Sequence, residues 1–106
     1  MATEPEETPV LNLIATMTAA SLEASNLDSQ TLMLVRLGAL VAVDAPPASY
    51  MLNLGAAGTA GVTSEDVQGV LAAVAPIVGT TRVISAAGKL VRALDLKLEL
   101  GDLAEE

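Results

Sequence analysis

Residues 27–43 read LDSQTLMLVRLGALVAV, and whether this stretch is a helix or a pair of strands decides the fold. Its valines suit buried strands, but the run from Gln30 to Val43 has the length of a helix. Asp28 stands where its carboxylate can cap the amides of Gln30 and Thr31. The spacing predicts a helix, with Leu32, Met33, Leu34, Val35, Leu37, Leu40, Val41 and Val43 apolar nearly all round. Such a helix belongs at the core of its particle or at a subunit interface.

Outward toward the C-terminus, Asp44, Ala45, Pro46 and Pro47 end this helix and open a third, because proline cannot continue a helix but suits a first turn. Met51, Leu52, Leu54 and Ala57 supply the third helix's apolar side to about Ala60, and Gly55 and Gly58 are read as sites for close approach of a neighbouring backbone. Gly61 fits the left-handed position past a helix end. Thr63 and Asp66 form a capping box, with acids at the positive end of the helix. Val67, Val70, Leu71 and Val74 line that fourth helix until Pro76 and Gly79 interrupt it, and a fifth restarts near Thr80 with Val83, Ile84, Ala87, Leu90, Val91 and Leu94. Leu94, Leu96, Leu98 and Leu100 then alternate with Asp95, Lys97 and Glu99, the period of an extended segment. Leu96, Leu100 and Leu103 also fit a helical stripe of good helix formers. The alternation favours an extended arm over 95–106, laid on a neighbouring subunit.

Toward the N-terminus, Thr8 is a candidate N-cap with Pro9 at the first helical position. Val10, Leu11, Ile14, Met17 and Leu22 follow at helical spacing, and the element fades between Ala24 and Asn26. Residues 1–8 are an acidic lead-in without apolar periodicity, read as flexible. The expectation is an all-α chain of about five helices: a single helical domain over 9–94 between that lead-in and the C-terminal arm.

With 106 residues, the chain makes one core. Hydrophobic residues are 52% of it and aromatics 1%, so Ala, Leu and Val fill the volume and Tyr50 is the sole ring. So short a chain cannot cover that much apolar surface, which predicts a homo-oligomer with helix-on-helix interfaces. No stretch has the ~20 apolar residues of a membrane span. Glu4, Glu6 and Glu7 oppose the charge of a signal peptide's leading region, so a cytoplasmic location is expected. The formal net charge of -8, from 13 acidic and 5 basic residues, repels phosphate backbones and makes nucleic acid a poor partner. Without cysteine or histidine, the chain has no means for disulfide, thiol, imidazole or zinc-thiolate chemistry, and no cofactor or metal is expected.

The order of these signals resembles the carboxymuconolactone decarboxylase and alkylhydroperoxidase D-like superfamily over about Leu27 to Leu94. LDSQTLMLVRLGALVAV looks like that family's opening helix with its Leu-Asp-x-x-Thr signature, and GVTSEDVQGVLAAVAPIVG like its Gly-x-Thr-x-Glu-Glu-Ile helix with the late proline. APPASYMLNLGAAGTAG lies where the family carries Cys-x-x-Cys-x-x-x-His and a small-residue helix. The resemblance implies an all-helical fold assembling as a dimer, trimer or hexamer, with a site near subunit contacts.

This chain departs from the family at the reactive positions. Counting back from Gly61, the two cysteines fall on Pro46 and Ser49, the histidine on Asn53, and the acid of the preceding helix on Met33 or Leu34. A thiol peroxidase needs a thiolate nucleophile and a resolving thiol, and a serine hydroxyl is neither oxidised nor acidic enough to replace them. That activity is excluded by chemistry.

The polar residues left near the corresponding pocket are Arg36, Asp44, Ser49, Tyr50 and Asn53. An arginine in an apolar helix must find a partner, since an unpaired buried charge is costly. Arg36 is either a clamp for a small carboxylate or a structural pair with Asp44 or an acid of another subunit, and the pair is the plainer reading. Ser49 and Asn53 share a helix face, but no base activates Ser49. Arg82, Lys89 and Arg92 share a stripe of the fifth helix, read as a solvated face paired with acids of the same particle. Gly55, Gly58 and Gly61 are not a phosphate loop, as no strand precedes them.

Two functions follow. The first is an oligomeric scaffold or binder of a small apolar molecule, with Arg36, Ser49, Tyr50 and Asn53 as candidate ligand contacts. The alternative is a cofactor-free, decarboxylase-like lyase or isomerase acting on a small acid or lactone, with Arg36 holding the carboxylate and Tyr50 or Asp44 moving a proton.

Overall fold

The computed structural model describes residues 8–105 of the chain, and side-chain surroundings for 8–94. The acidic lead-in, apart from Thr8, lies outside the described residues. Five helices follow in order: α1 Pro9–Ala24, α2 Ser29–Ala42, α3 Pro47–Thr59, α4 Ser64–Val78 and α5 Thr80–Glu105. The described residues contain no strand.

The helix ends show why the chain breaks where it does. Asp28 accepts from the Thr31 amide at 2.8 Å and the Thr31 hydroxyl at 3.0 Å, opening α2. Thr63 and Asp66 close the capping box in both directions at 3.0 Å, opening α4. Thr8 occupies the N-cap of α1 without a side-chain cap bond, so the start of that helix rests on Pro9, whose fixed φ suits a first turn.

α2 and α3 end alike. The Ala45 amide reaches back to Leu40 at 3.0 Å and that of Asp44 to Val41 at 3.1 Å, while Val62 reaches Ala57 at 2.9 Å and Gly61 reaches Gly58 at 3.1 Å. These paired bonds satisfy the last carbonyls and require a left-handed residue, Gly61 (φ 90°) in one case and Asp44 (φ 56°) in the other. Aspartate tolerates that conformation better than most residues with a side chain.

Pro76 interrupts less than the sequence suggests. α4 runs through it to Val78, because a proline this near the C-terminal end forfeits one hydrogen bond only, and Ala72, the partner it deprives, is exposed. Gly79, at φ 95° and ψ 155°, makes the turn into α5. That conformation is essentially closed to other residues, so Gly79→Ala is expected to lower the unfolding free energy by about 1–3 kcal/mol in chemical denaturation.

The C-terminal segment corrects the sequence reading. α5 continues as a helix through Glu105, not as an extended arm. Leu, Lys and Glu are strong helix formers, α5 already supplies the nucleus, and no strand among the described residues is there to pair with an arm.

α2 is the centre of the packing, as its all-round apolar surface requires, and touches α3, α4 and α5; α5 also packs on α3 and α4. The core cluster joins Leu37, Val41, Ala45, Tyr50, Ala86 and Ala93. The close helix approach is at Gly38 rather than Gly55 or Gly58: a methyl placed on Gly38 would lie 3.5 Å from Val74 of α4, whereas Gly55 and Gly58 face open space. This second correction has a simple cause, since Gly38 lies on the central helix, whereas no atom comes within 4 Å of a methyl placed on Gly55 or Gly58.

α1 stands apart. Among the described residues no other helix packs against it, and none of its residues is buried. Its tie to α2 is a hydrogen bond from Arg36 Nη2 to Ser21 Oγ of 3.0 Å.

Candidate functional site

Pro46 and Pro47 start α3 hard against the end of α2, and this placement turns Tyr50, the fourth residue of α3, inward among Leu37, Val41 and Ala45. Tyr50 is 1% exposed, and among the described residues its buried hydroxyl has no hydrogen-bond partner. Burial, and then the negative charge of Asp44, push the phenol's pKa above its ordinary value. At neutral pH Tyr50 is therefore a hydrogen-bond donor and not a base.

Tyr50 borders a cavity of about 20 Å³, large enough for one water-sized group, that is shared with Met33, Leu37, Leu40 and Asn53. Leu54, Ala57, Val62 and Val67 complete its wall and also line a groove of about 500 Å³ between α3, α4 and α5. Leu71, Leu90, Val91 and Leu94 extend that groove, and its lining carries no charged side chain. Asn53 and Met33 meet at the small cavity. The resemblance aligns Asn53 with the family's histidine and Met33, in one of two registers, with its acid. Where the resemblance implies a proton relay, this chain has an amide and a thioether.

The other candidates lie apart from this place. Asn53 is tied down, its Nδ2 donating to the Ser49 carbonyl at 2.8 Å. Arg36 lines a different, open depression with Met17, Thr18 and Ser21 of α1, where Asn53 is the shared neighbour. The expected Arg36–Asp44 pair does not form. Asp44 lies eight residues further on, roughly 12 Å along the axis at 1.5 Å per residue, and beyond the end of α2.

Asp44 instead takes Lys89, with Nζ 2.8 Å from Oδ1, and the Ser85 hydroxyl at 3.0 Å. Lys89 also donates to the Asp44 carbonyl at 3.3 Å, and Arg82 donates to the carbonyl of Ala42. Two members of the basic stripe on α5 therefore neutralise the negative end of α2 and an acid of the same chain. Among the described residues, no three acidic, histidine or cysteine side chains gather as a metal site would require.

Asp28, Asp44 and Asp66 all have carboxyl pKa values held below the ordinary range, by hydrogen bonds from Thr31, Lys89 and Thr63 respectively. A carboxylate more acidic folded than unfolded stabilises the fold above its unfolded pKa, and that contribution is lost as pH falls through the folded value. The stability difference between this protein and an Asp28→Asn/Asp44→Asn/Asp66→Asn variant is thus expected to be constant near neutrality and to shrink below the ordinary carboxylate value of 3.8. Denaturant titrations at neutral pH and below that value read it out.

The groove itself escaped the sequence reading. The sequence assigns its walls to separate helix stripes, and no local signal says that the stripes of α3, α4 and α5 leave a space where they converge. A comparison with known families finds a model described as the carboxymuconolactone decarboxylase family matching residues 9–92. No curated protein and no solved structure matches the chain.

Proposed function

We propose, from the premise that this chain belongs to the carboxymuconolactone decarboxylase family, that it is an oligomeric, cysteine-free binder of a small apolar molecule. The observation that carries this reading is the uncharged groove of about 500 Å³ between α3, α4 and α5, a volume within the range of small-molecule sites. The absence of cysteine and histidine removes thiol peroxidase chemistry from consideration.

Self-association is supported by the surface of α1. Val10, Leu11, Leu13, Ile14, Met17 and Leu22 are between 49% and 66% exposed there, and no other helix packs against them among the described residues. Soluble monomers seldom leave a contiguous apolar patch larger than a few hundred Å² open to water, because covering it is favourable at roughly 25 cal/mol per Å². A dimer, trimer or hexamer would cover it. No helix among the described residues is long and apolar enough to cross a membrane.

The lyase alternative has less support, because its parts are separately engaged: Arg36 with Ser21, Asp44 with Lys89 and Ser85, and Tyr50 among apolar residues. The test is uptake of Nile red, a neutral apolar dye, followed by its fluorescence. Saturable uptake by the purified protein, abolished by Leu71→Glu at the groove wall with the circular dichroism unchanged, is the expected result. Absence of saturable uptake overturns the binder reading.

A further inference from the structure

Arg36 is half-buried on α2, and it donates a hydrogen bond to the Ser21 hydroxyl at 3.0 Å. Among the described residues no carboxylate lies within ion-pair distance of it, and Asp44 is held by Lys89. A guanidinium has several N–H donors in a planar fork, and one serine oxygen uses a small part of that capacity. The depression around Arg36, of about 330 Å³, sets Thr18, Ser21 and Asn53 beside the apolar Met17, Ala39 and Leu40, and Arg36 is the one charged residue on its lining. We propose that this depression, separate from the groove between α3, α4 and α5, binds a straight-chain monocarboxylate. The carboxylate meets the Arg36 guanidinium, and the chain lies on Met17, Ala39 and Leu40.

Each part of that description follows from a different observation. The head is an anion because a half-buried cation without an acid gains most from one, and two carboxylate oxygens match the guanidinium fork. It carries a single charge because one cation lines the depression and a net charge of -8 repels a more highly charged group. The body is an apolar chain because of what adjoins the site. Ser29, Leu32 and Met33 continue the α2 face of Arg36, Ala39 and Leu40 at steps of three and four residues, and Ala56, Thr59 and Ala60 continue the α3 face of Asn53 in the same way. Those six residues and Leu22 of α1 line a second depression of about 500 Å³ with no charged side chain, so the chain is directed toward it. The ligand is slender because the Arg36–Ser21 bond holds α1 to α2 here. A helix of a second copy needs about 8–10 Å between axes and does not pass between them.

The test is isothermal titration calorimetry with octanoate, butanoate and octan-1-ol on the unaltered protein and on Arg36→Met, Ser21→Ala and Leu71→Glu. Octanoate is expected to bind at least about tenfold more tightly than octan-1-ol, the worth of a charge-assisted hydrogen bond, and at least about tenfold more tightly than butanoate. Arg36→Met is expected to weaken octanoate by about tenfold or more and to leave octan-1-ol unchanged. Ser21→Ala, which frees α1 from Arg36 but keeps the guanidinium, is expected to retain octanoate binding. Leu71→Glu, which blocks the α3/α4/α5 groove, is expected to retain it too. Octan-1-ol binding as tightly as octanoate overturns the anionic head, and butanoate binding as tightly overturns the apolar seat. Loss of octanoate binding in Ser21→Ala makes Arg36 a tie for α1 and overturns the site; loss in Leu71→Glu moves the ligand to the other groove and overturns it as well. A changed subunit number of Arg36→Met in native mass spectrometry assigns Arg36 to an acid of another subunit, which also overturns it. Dye uptake by the α3/α4/α5 groove is read separately, so failure of either site leaves the other standing.

Discussion

Tyr50→Ala is expected to lower the unfolding free energy by about 3–5 kcal/mol, the usual cost of deleting a fully buried aromatic side chain. Tyr50 is the largest side chain in the core and sits among Leu37, Val41, Ala45, Ala86 and Ala93. Three of those five are alanines, whose short side chains cannot reach across the void, so relaxation recovers little. Tyr50→Phe has the opposite sign: it removes a buried hydroxyl without a partner and keeps the ring, and is expected to raise stability by about 1 kcal/mol in the absence of ligand. Urea titrations followed by far-ultraviolet circular dichroism measure both. A phenylalanine variant less stable than the parent would mean that the hydroxyl is satisfied in the free protein.

Leu11→Glu combined with Ile14→Glu is expected to dissociate the proposed homo-oligomer while leaving α2 to α5 folded. Burying each of these side chains contributes about 1.5–3 kcal/mol, so losing both weakens association by at least roughly a hundredfold before the cost of burying two charges is added. Both residues are exposed on α1, at 62% and 49%, and among the described residues no other helix packs against α1. A substitution there has little intrachain packing to disturb. Sedimentation equilibrium or native mass spectrometry gives the subunit number. A double variant with the parental number would show that α1 is not the interface.

The helices were legible because their signals are short in range. Asp28 and Thr31, like Thr63 and Asp66, stand three residues apart, and each pair forms the cap its spacing predicts. The apolar stretch from Leu32 to Val43, broken by Arg36 and Gly38, likewise announces a central helix, and α2 carries four buried residues. The period-two alternation after Leu94 misled because α5 continues as a helix there, built from residues with high helix propensity. Gly55 and Gly58 misled for another reason. Small residues show where a close approach is possible, not where a neighbour comes.

Candidate residues were legible as types and not as a constellation. Asn53 and Tyr50 do meet at one cavity, but Arg36 and Asp44 turn to Ser21 and Lys89. Asp44 and Lys89 are 45 positions apart, and nothing in either neighbourhood marks them as partners.

What the amino-acid order alone settled is local or chemical: where helices begin, how α2 and α3 end, and that no sulfur nucleophile or imidazole is available. What only the tertiary structure decided is which faces meet, and with that the groove, the solitary Tyr50 hydroxyl and the uncovered α1. Hydrogen bonds within a helix and its caps span about three to five residues, so neighbours in sequence suffice to specify them. A groove exists only where distant helices cross at particular angles, and those angles depend on ridges and small residues contributed by all of them together.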